Sequence, residues 1–309
     1  MKLKVTMINE YHIPVLFETC LKAMELDNGT VFVDVTFGGG GHSKAILERI
    51  GEDAVLIAFD QDEDALANVV EDDKLIFVNA NFRYLKNFLK YYEHPKVDAV
   101  LADLGVSSHQ FDAGERGFSI RTNAKLDMRM NQQADVSAYH VVNDYPERDL
   151  FAMFNAYADL KNVRKVVYAI VNKRNEGPIE TTGQLVELLS PLMIGKKLNQ
   201  FLAQIFQAIR IEVNDEMGAL RDMLEQAADV LKPGGRLVVM SYHSIEDRLV
   251  KNFIRSGKFT GEAEKDLYGN IIKPLSAVNK KPIVPTEEEN KVNSRARSAK
   301  LRVATKNAE

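Results

Sequence analysis

Four consecutive glycines, Gly38–Gly41, lie between two apolar runs, and this junction restricts the fold more than any other feature of the chain. Thr30–Val35 (TVFVDV) and Ala54–Asp60 (AVLIAFD) are rich in Val, Ile and Phe without strict alternation, the pattern of parallel strands buried on both faces. HSKAILERI, directly after the glycines, places Ala45, Ile46 and Ile50 along one side of a helix that Gly51 stops. Strand, glycine turn, helix, strand is the repeating unit of a parallel sheet.

The alternation continues. Leu75–Val78 and Val97–Asp103 (VDAVLAD) read as third and fourth strands, with helices expected over Asp62–Val70 and Phe82–Tyr91. This order predicts a doubly wound α/β sheet. After Asp103-Leu104-Gly105 it stops. A polar stretch, Ser107–Met130, leads into a region with helical periods only. Leu150, Phe151 and Phe154 share one helical face, and Val163, Val166, Val167 and Ile170 a second. Leu185, Leu188, Leu189 and Leu192 share a third, and Leu198, Leu202, Ile205 and Ile209 a fourth. A helix is expected over Glu216–Leu231, ended by Pro233-Gly234-Gly235, and the strand pattern resumes at Arg236–Met240. The expected organisation is an α/β domain in two parts, residues 1–106 and 214–309, interrupted by an all-helical insertion over 107–213.

A chain of 309 residues buries about three quarters of its unfolded surface and needs no covalent staple. Its one cysteine, Cys20, excludes an internal disulfide and a cysteine-rich zinc site. No run approaches the roughly 18 consecutive apolar residues of a membrane span. In MKLKVTMINEYH, Asn9 and Glu10 break the apolar run too early for a secretory segment. A cytoplasmic protein without membrane contact is expected. The net charge of −4 argues against a nucleic-acid partner if it is evenly spread. It is uneven. Between Asn290 and Ala308 lie Lys291, Arg295, Arg297, Lys300, Arg302 and Lys306, and no acidic residue. Such a tail is either a polyanion contact or a solvated terminus.

Glycines reach φ > 0 and expose bare backbone at the start of a helix, so the turn is expected to hold a nucleotide-like ligand. A G-x-G-x-x-G fingerprint begun at Gly38 meets Ser43 where its third glycine belongs, and one begun at Gly39 meets Lys44. That weakens a pyrophosphate ligand. Asp60 closes the second strand about 20 residues after the turn, where a carboxylate accepts hydrogen bonds from ribose hydroxyls. Capping the next helix is the alternative, with Asp62 as competitor. A ribose does not separate S-adenosylmethionine from NAD. Asp103 ends the fourth strand at the carboxyl edge, where such sheets place their ligands. It suits a reaction that needs an acceptor for a substrate N–H, or else it caps or forms a salt bridge. His243, in SYHSIEDR after the fifth strand, is either a second catalytic group or structural. His12, His94, His109 and His140 show no metal-ligand spacing with carboxylates, so no catalytic metal is expected.

The segments DVTFGGGGHS (Asp34–Ser43), FDQD (Phe59–Asp62), ADLGVSSHQFD (Ala102–Asp112) and ERGFS (Glu115–Ser119) are followed by LDMRM (Leu126–Met130) and FQAIRIEVNDE (Phe206–Glu216). LKPGGRLVVMSYHSIEDRLVK (Leu231–Lys251) and NSRARSAKLRV (Asn293–Val303) complete the series. In this order they resemble the ribosomal RNA small subunit methyltransferase H (MraW) family of S-adenosylmethionine-dependent cytosine-N4 methyltransferases. The resemblance covers nearly the whole chain, including HIPVL (His12–Leu16). It implies a Rossmann-like methyltransferase sheet with an inserted helical domain. The implied substrate is the exocyclic amine of a cytosine in the decoding region of 16S rRNA, within the small ribosomal subunit. The family's cofactor contacts fall on Gly40, Gly41, His42, Asp60, Phe82, Asp103 and Gln110, with Asp103 and His243 as the catalytic candidates. Arg116, Arg129, Arg210 and, in the tail, Arg295, Arg297 and Arg302 are expected to face RNA. Ion pairs with nearby Asp or Glu are the alternative for the first three. The competing functions are a cofactor-binding, RNA-associated assembly factor, a methyltransferase with another substrate, and a nicotinamide oxidoreductase.

Overall fold

The computed structural model describes residues 14–107, 110–111 and 113–308, apart from the side chains of Ser294 and Arg295. Seven strands form one sheet: β1 (Val31–Asp34), β2 (Val55–Asp60), β3 (Leu75–Asn79), β4 (Val97–Asp103), β5 (Leu231–Ser241), β6 (Leu275–Ala277) and β7 (Lys300–Lys306). Their order is β3-β2-β1-β4-β5-β7-β6. β1 to β5 pair in parallel, and β7 runs antiparallel to both β5 and β6. The chain winds outward from β1 to β3, then crosses back to β4 and winds the other way. The direction therefore reverses between β1 and β4, and a doubly wound sheet binds its ligand in the crevice outside those carboxyl ends.

Phe32, Val33, Leu56, Ile57, Ala99, Val100, Leu101, Leu237 and Val238 are all fully enclosed, the burial on both faces that unbroken apolar runs require. Cys20, Leu21 and Met24 of the helix Phe17–Met24 join Ile46 and Leu47 of the helix Gly41–Leu47 in one core cluster with Phe32, Leu56, Leu101 and Val238.

Three expectations are corrected. The segment after β2 forms a 3-10 helix, Glu63–Asn68, and the one after β3 divides into a 3-10 turn, Phe82–Tyr84, and a helix, Leu85–Tyr91. Pro233-Gly234-Gly235 does not follow a helix as a stop signal. The helix Glu216–Val230 runs directly into β5, and the glycines lie within the strand at a register shift against Val97 and Ala99. A Cβ on Gly235 would stand 2.8 Å from the Asp98 carbonyl oxygen, so only glycine fits this approach. The end of the basic C-terminal segment is a strand and not a solvated terminus. Lys300–Lys306 is β7, Arg302 pairs with Val239 of β5, and Leu301 and Val303 are buried in the core.

The chain divides into two compact units. One holds the sheet and contains the described residues up to Asp60, Asp64–Gly105 and those from Arg221 onward. The other contains Gln61–Glu63 and Val106–Leu220. Its helices are Ala138–Asp144, Glu147–Tyr157, Val163–Glu176, Thr182–Leu189 and Leu198–Val213. They close on a core that includes Leu150, Phe154, Val167, Ile170, Leu185, Leu189, Ile205 and Ile209. Asn162 caps the third of these helices by accepting the Lys165 N–H, and Thr181 with Gln184 forms a capping box on the fourth. Phe151, grouped with Leu150 and Phe154 by spacing, lies on the exposed side. Among the described residues, no helix is long and apolar enough to cross a membrane.

Candidate active site

β1 ends in Asp34, which is fully buried. Its carboxylate accepts the Thr36 N–H at 3.0 Å and the Ser43 hydroxyl at 2.7 Å. Burial pushes its pKa up and these hydrogen bonds pull it down, with burial the larger effect. The Thr36 hydroxyl oxygen accepts the Asp103 N–H at 2.7 Å, which ties the ends of β1 and β4 together at the crevice. The glycine turn follows. Gly38 and Gly40 have φ of 52° and 76°, a region that favours glycine. A Cβ on Gly40 would come within 3.0 Å of the Phe37 ring, whereas one on Gly39 would meet nothing within 4 Å. The turn thus presents open backbone at Gly39. Asp60, the last residue of β2, accepts the Gly38 N–H at 2.7 Å and so holds the opening of the turn. Phe82, half-buried, opens the short turn after β3.

Asp103 is the last residue of β4, and 21% of its side chain is exposed, enough for a small group to reach. The Tyr242 hydroxyl donates to Oδ1 at 2.8 Å. His42 Nδ1 stands 3.8 Å from Oδ2, beyond hydrogen-bonding distance. Burial raises the Asp103 pKa, and the nearby carboxylates of Asp34 and Glu246 add to it. The His42 ring and the Tyr242 hydroxyl oppose them, and the balance is a pKa of about 6. Burial lowers the pKa of His42, with Asp103 in opposition. The ring packs against Phe17 at 5.5 Å between centroids, and its Nε2 is buried without a hydrogen-bond partner among the described residues. A carboxylate poised this close to neutrality, at a strand end and within reach from outside, is a group that can accept and release a hydrogen bond during a reaction.

The other candidates fare differently. His243 is the N-cap of the helix Ser244–Ser256. Its Nδ1 accepts the Glu246 N–H at 3.4 Å, and Glu246 in turn accepts the His243 N–H at 3.2 Å. That is the structural role weighed against a catalytic one. In the second unit, Gln110 is buried and donates to Asp62 at 2.6 Å. Arg116, expected to face RNA, is buried instead. Its guanidinium reaches Asp62 at 3.0 Å and the Arg129 and Met130 carbonyls at 2.8 and 3.2 Å, so no surface remains for a phosphate. Arg129 pairs with Asp127 at 2.8 Å and Arg210 with Glu216 at 2.7 Å, the ion-pair alternative in both cases. Arg302 pairs with Asp247 at 2.7 Å. Arg297 is exposed in a 3-10 turn, and the side chain of Arg295 lies outside the described residues. Tyr242, which touches Asp103, was not among the sequence candidates. It is the pairing of β5 with β4 that brings it to Asp103, and the sequence alone carries no signal of that pairing.

A relative from Christiangramia forsetii, named ribosomal RNA small subunit methyltransferase H, is 58% identical over 297 residues, covering 96% of this chain and 98% of the relative. Proteins of the same name from Flavobacterium johnsoniae and Bacteroides fragilis are both 53% identical. They cover 98% and 96% of this chain and 100% and 97% of their own lengths. The sequence model of the MraW methylase family matches residues 9–307, a span that takes in the glycine turn, the three aspartate-ended strands and the final strand. With that extent of match, and a sheet whose reversal point carries the turn and Asp103 together, the chain belongs to the MraW methylase family.

Proposed function

We propose that this protein transfers the methyl group of S-adenosylmethionine to the N4 amine of a cytosine in the decoding region of small-subunit ribosomal RNA. The shared name of the relatives supports the class of RNA. The observation that carries an amine as methyl acceptor is the Asp103 carboxylate, largely buried but reachable at the end of β4.

S-adenosylmethionine is the cofactor of this methylase family, and the residues at the crevice fit it. The Gly39 backbone faces open space, Asp60 offers a carboxylate at the end of β2, and the buried Nε2 of His42 has no hydrogen-bond partner among the described residues. Gly40, Gly41, His42, Asp60 and Phe82 are the residues that would hold it, with Asp60 accepting from ribose hydroxyls. When bound, it supplies a methyl group on a positively charged sulfur.

The protein's own contribution is largely positioning, because an in-line displacement is slow unless the two reacting atoms are held close and aligned. The N4 lone pair of cytosine is delocalised into the ring, which makes the amine a poor nucleophile. Asp103 accepts one N–H of that amine and so concentrates the lone pair on nitrogen as the new bond forms, an interaction that strengthens toward the transition state. With its pKa at about 6, the carboxylate is mostly ionised at neutral pH and able to accept. The target base must be unpaired, or turned out of its stack, before the carboxylate can reach it.

The test is transfer of labelled methyl to small ribosomal subunits that lack the modification, with naked 16S rRNA and the Asp103→Asn protein alongside. Label in a single N4-methylcytosine, abolished by the substitution, is the expected result. Cofactor binding with no label in either RNA would favour an assembly factor, and label in another base would reassign the substrate.

A further inference from the structure

Tyr242 and Asp103 meet across the crevice from adjacent strands. β4 and β5 are parallel neighbours, and Asp103 is in register with Met240, so the chain beyond β5 reaches Tyr242 just past the end of β4. The turn that carries Tyr242 is pinned. Glu246, almost fully buried, accepts the Tyr242 N–H at 2.9 Å and the His243 N–H at 3.2 Å, and His243 completes the capping box from the other side. The ring is therefore delivered by a fixed backbone and not by a mobile loop tip. Its hydroxyl donates to Asp103 Oδ1 at 2.8 Å. On the other side the Asp103 backbone N–H is held by the Thr36 hydroxyl at 2.7 Å. Burial pushes the Tyr242 pKa far up, with Asp103 adding to it, so the phenol keeps its proton and remains a donor.

We infer that Tyr242 is the positioning residue of Asp103: its hydroxyl occupies Oδ1 and fixes the carboxylate rotamer, so that Oδ2 is the oxygen presented to the substrate amine. The inference rests on the reading of Asp103 as the acceptor of the amine N–H. An unheld carboxylate has a nearly two-fold χ2 torsion and samples it broadly. A charge-stabilising donor on one oxygen removes that freedom and also favours the ionised form. Four other titratable groups face Asp103: Asp34 from the end of β1, His42 from the helix after the glycine turn, Glu246 from the helix Ser244–Ser256, and Cys20 from the helix Phe17–Met24. Asp34 and Glu246 raise the pKa of Asp103 and His42 lowers it, and each acts on Asp103 from an element other than the turn that carries Tyr242.

The experiment is the pH dependence of single-turnover methyl transfer to modification-free small subunits for the wild type, Tyr242→Phe and Asp103→Asn. Cofactor affinity and melting temperature are measured on the same three proteins. Tyr242 lowers the Asp103 pKa by stabilising the ionised form, so its loss raises that pKa. The rising acid limb should move up by about half to one pH unit, and the plateau rate should fall several-fold while cofactor affinity holds. Fluorotyrosine installed at position 242 keeps the shape of the ring and makes the hydroxyl a stronger donor, so it should move the limb the other way. It also supplies the answer if Tyr242→Phe melts early. An unmoved limb in a folded variant, with Asp103→Asn inactive, overturns the role of Tyr242 and leaves that of Asp103 standing. Wild-type turnover by Asp103→Asn overturns both.

Discussion

The guanidinium of Arg302, in the last strand, closes onto Asp247 of the helix Ser244–Ser256 with Nε 2.7 Å from Oδ1, and both side chains are nearly nine-tenths enclosed. Burial raises the Asp247 pKa, but the hydrogen bonds and charges of Arg302 and Lys300 outweigh it and hold the carboxyl below its ordinary range. A carboxyl depressed in the folded state stabilises the fold above its unfolded pKa of about 4, and that contribution disappears as pH falls through the folded value. Arg302→Ala should therefore cost about 1–3 kcal/mol at pH 7. Urea midpoints should show the gap to wild type narrowing below about pH 4. A gap independent of pH would mean that Arg302 acts through packing alone.

Truncation after Asn290 should unfold the sheet-bearing unit, since it deletes β7, the strand between β5 and β6. Circular dichroism and melting of the truncated chain are the check. A native melt would contradict the strand assignment. Arg297 is a cleaner probe of RNA contact, because it is exposed in its 3-10 turn. If it meets a phosphate, Arg297→Ala should leave melting unchanged and reduce the salt slope of RNA binding by about 1. An unchanged slope would remove it from the interface.

Two neighbouring glycines separate backbone strain from ligand contact. Gly40 has a φ of 76° and a close approach to Phe37, so Gly40→Ala should destabilise the protein by about 1–2 kcal/mol. Gly39→Ala adds a methyl group that meets no protein atom within 4 Å. It should leave melting untouched and weaken S-adenosylmethionine binding in a calorimetric titration, if the cofactor lies over the turn. Full affinity in a folded Gly39→Ala protein would move the cofactor elsewhere.

Arg116→Ala should be among the most damaging changes in the helical unit. The Arg116–Asp62 pair keeps only 9% and 5% side-chain exposure, and removing one partner of a buried pair leaves an uncompensated charge that costs about 3–5 kcal/mol. Denaturant unfolding measures the loss. A change below about 1 kcal/mol, the range of an exposed pair, would show that water reaches Asp62.

The strands β1, β2 and β4 are readable from sequence because their central residues are buried on both faces, whereas β3, at the sheet edge, buries only Val78. The helical periods of the second unit likewise place Phe154, Val167 and Ile205 in a core. β7 was hidden by charge. In KLRVATK, Leu301 and Val303 alternate with Lys300 and Arg302, a half-buried strand pattern, but the cluster of basic residues draws attention to the chain's exterior. The partners of Arg129 and Arg210, Asp127 and Glu216, are near in sequence and fall within the ion-pair alternative, whereas Asp62, the partner of Arg116, is remote in sequence and was out of sight. Arginine in a sequence looks the same whether it meets a phosphate or a carboxylate. Tyr242 shows a further limit: its meaning depends on which strand lies beside β5, and strand order follows from three-dimensional winding.

That winding has a consequence for how the chain is made. β5 sits between β4 and β7, yet its last residue, Ser241, emerges nearly 140 residues after Asp103. At synthesis rates of about 5–20 residues per second, the hydrogen-bonding edge of β4 waits on the order of ten seconds for its neighbour. During that interval the nascent chain carries a half-built sheet whose apolar flank is available to chaperones, to misregistered strands or to other chains. A long excursion between adjacent strands therefore sets a timing problem in the cell, one that ends only when β5 has been made.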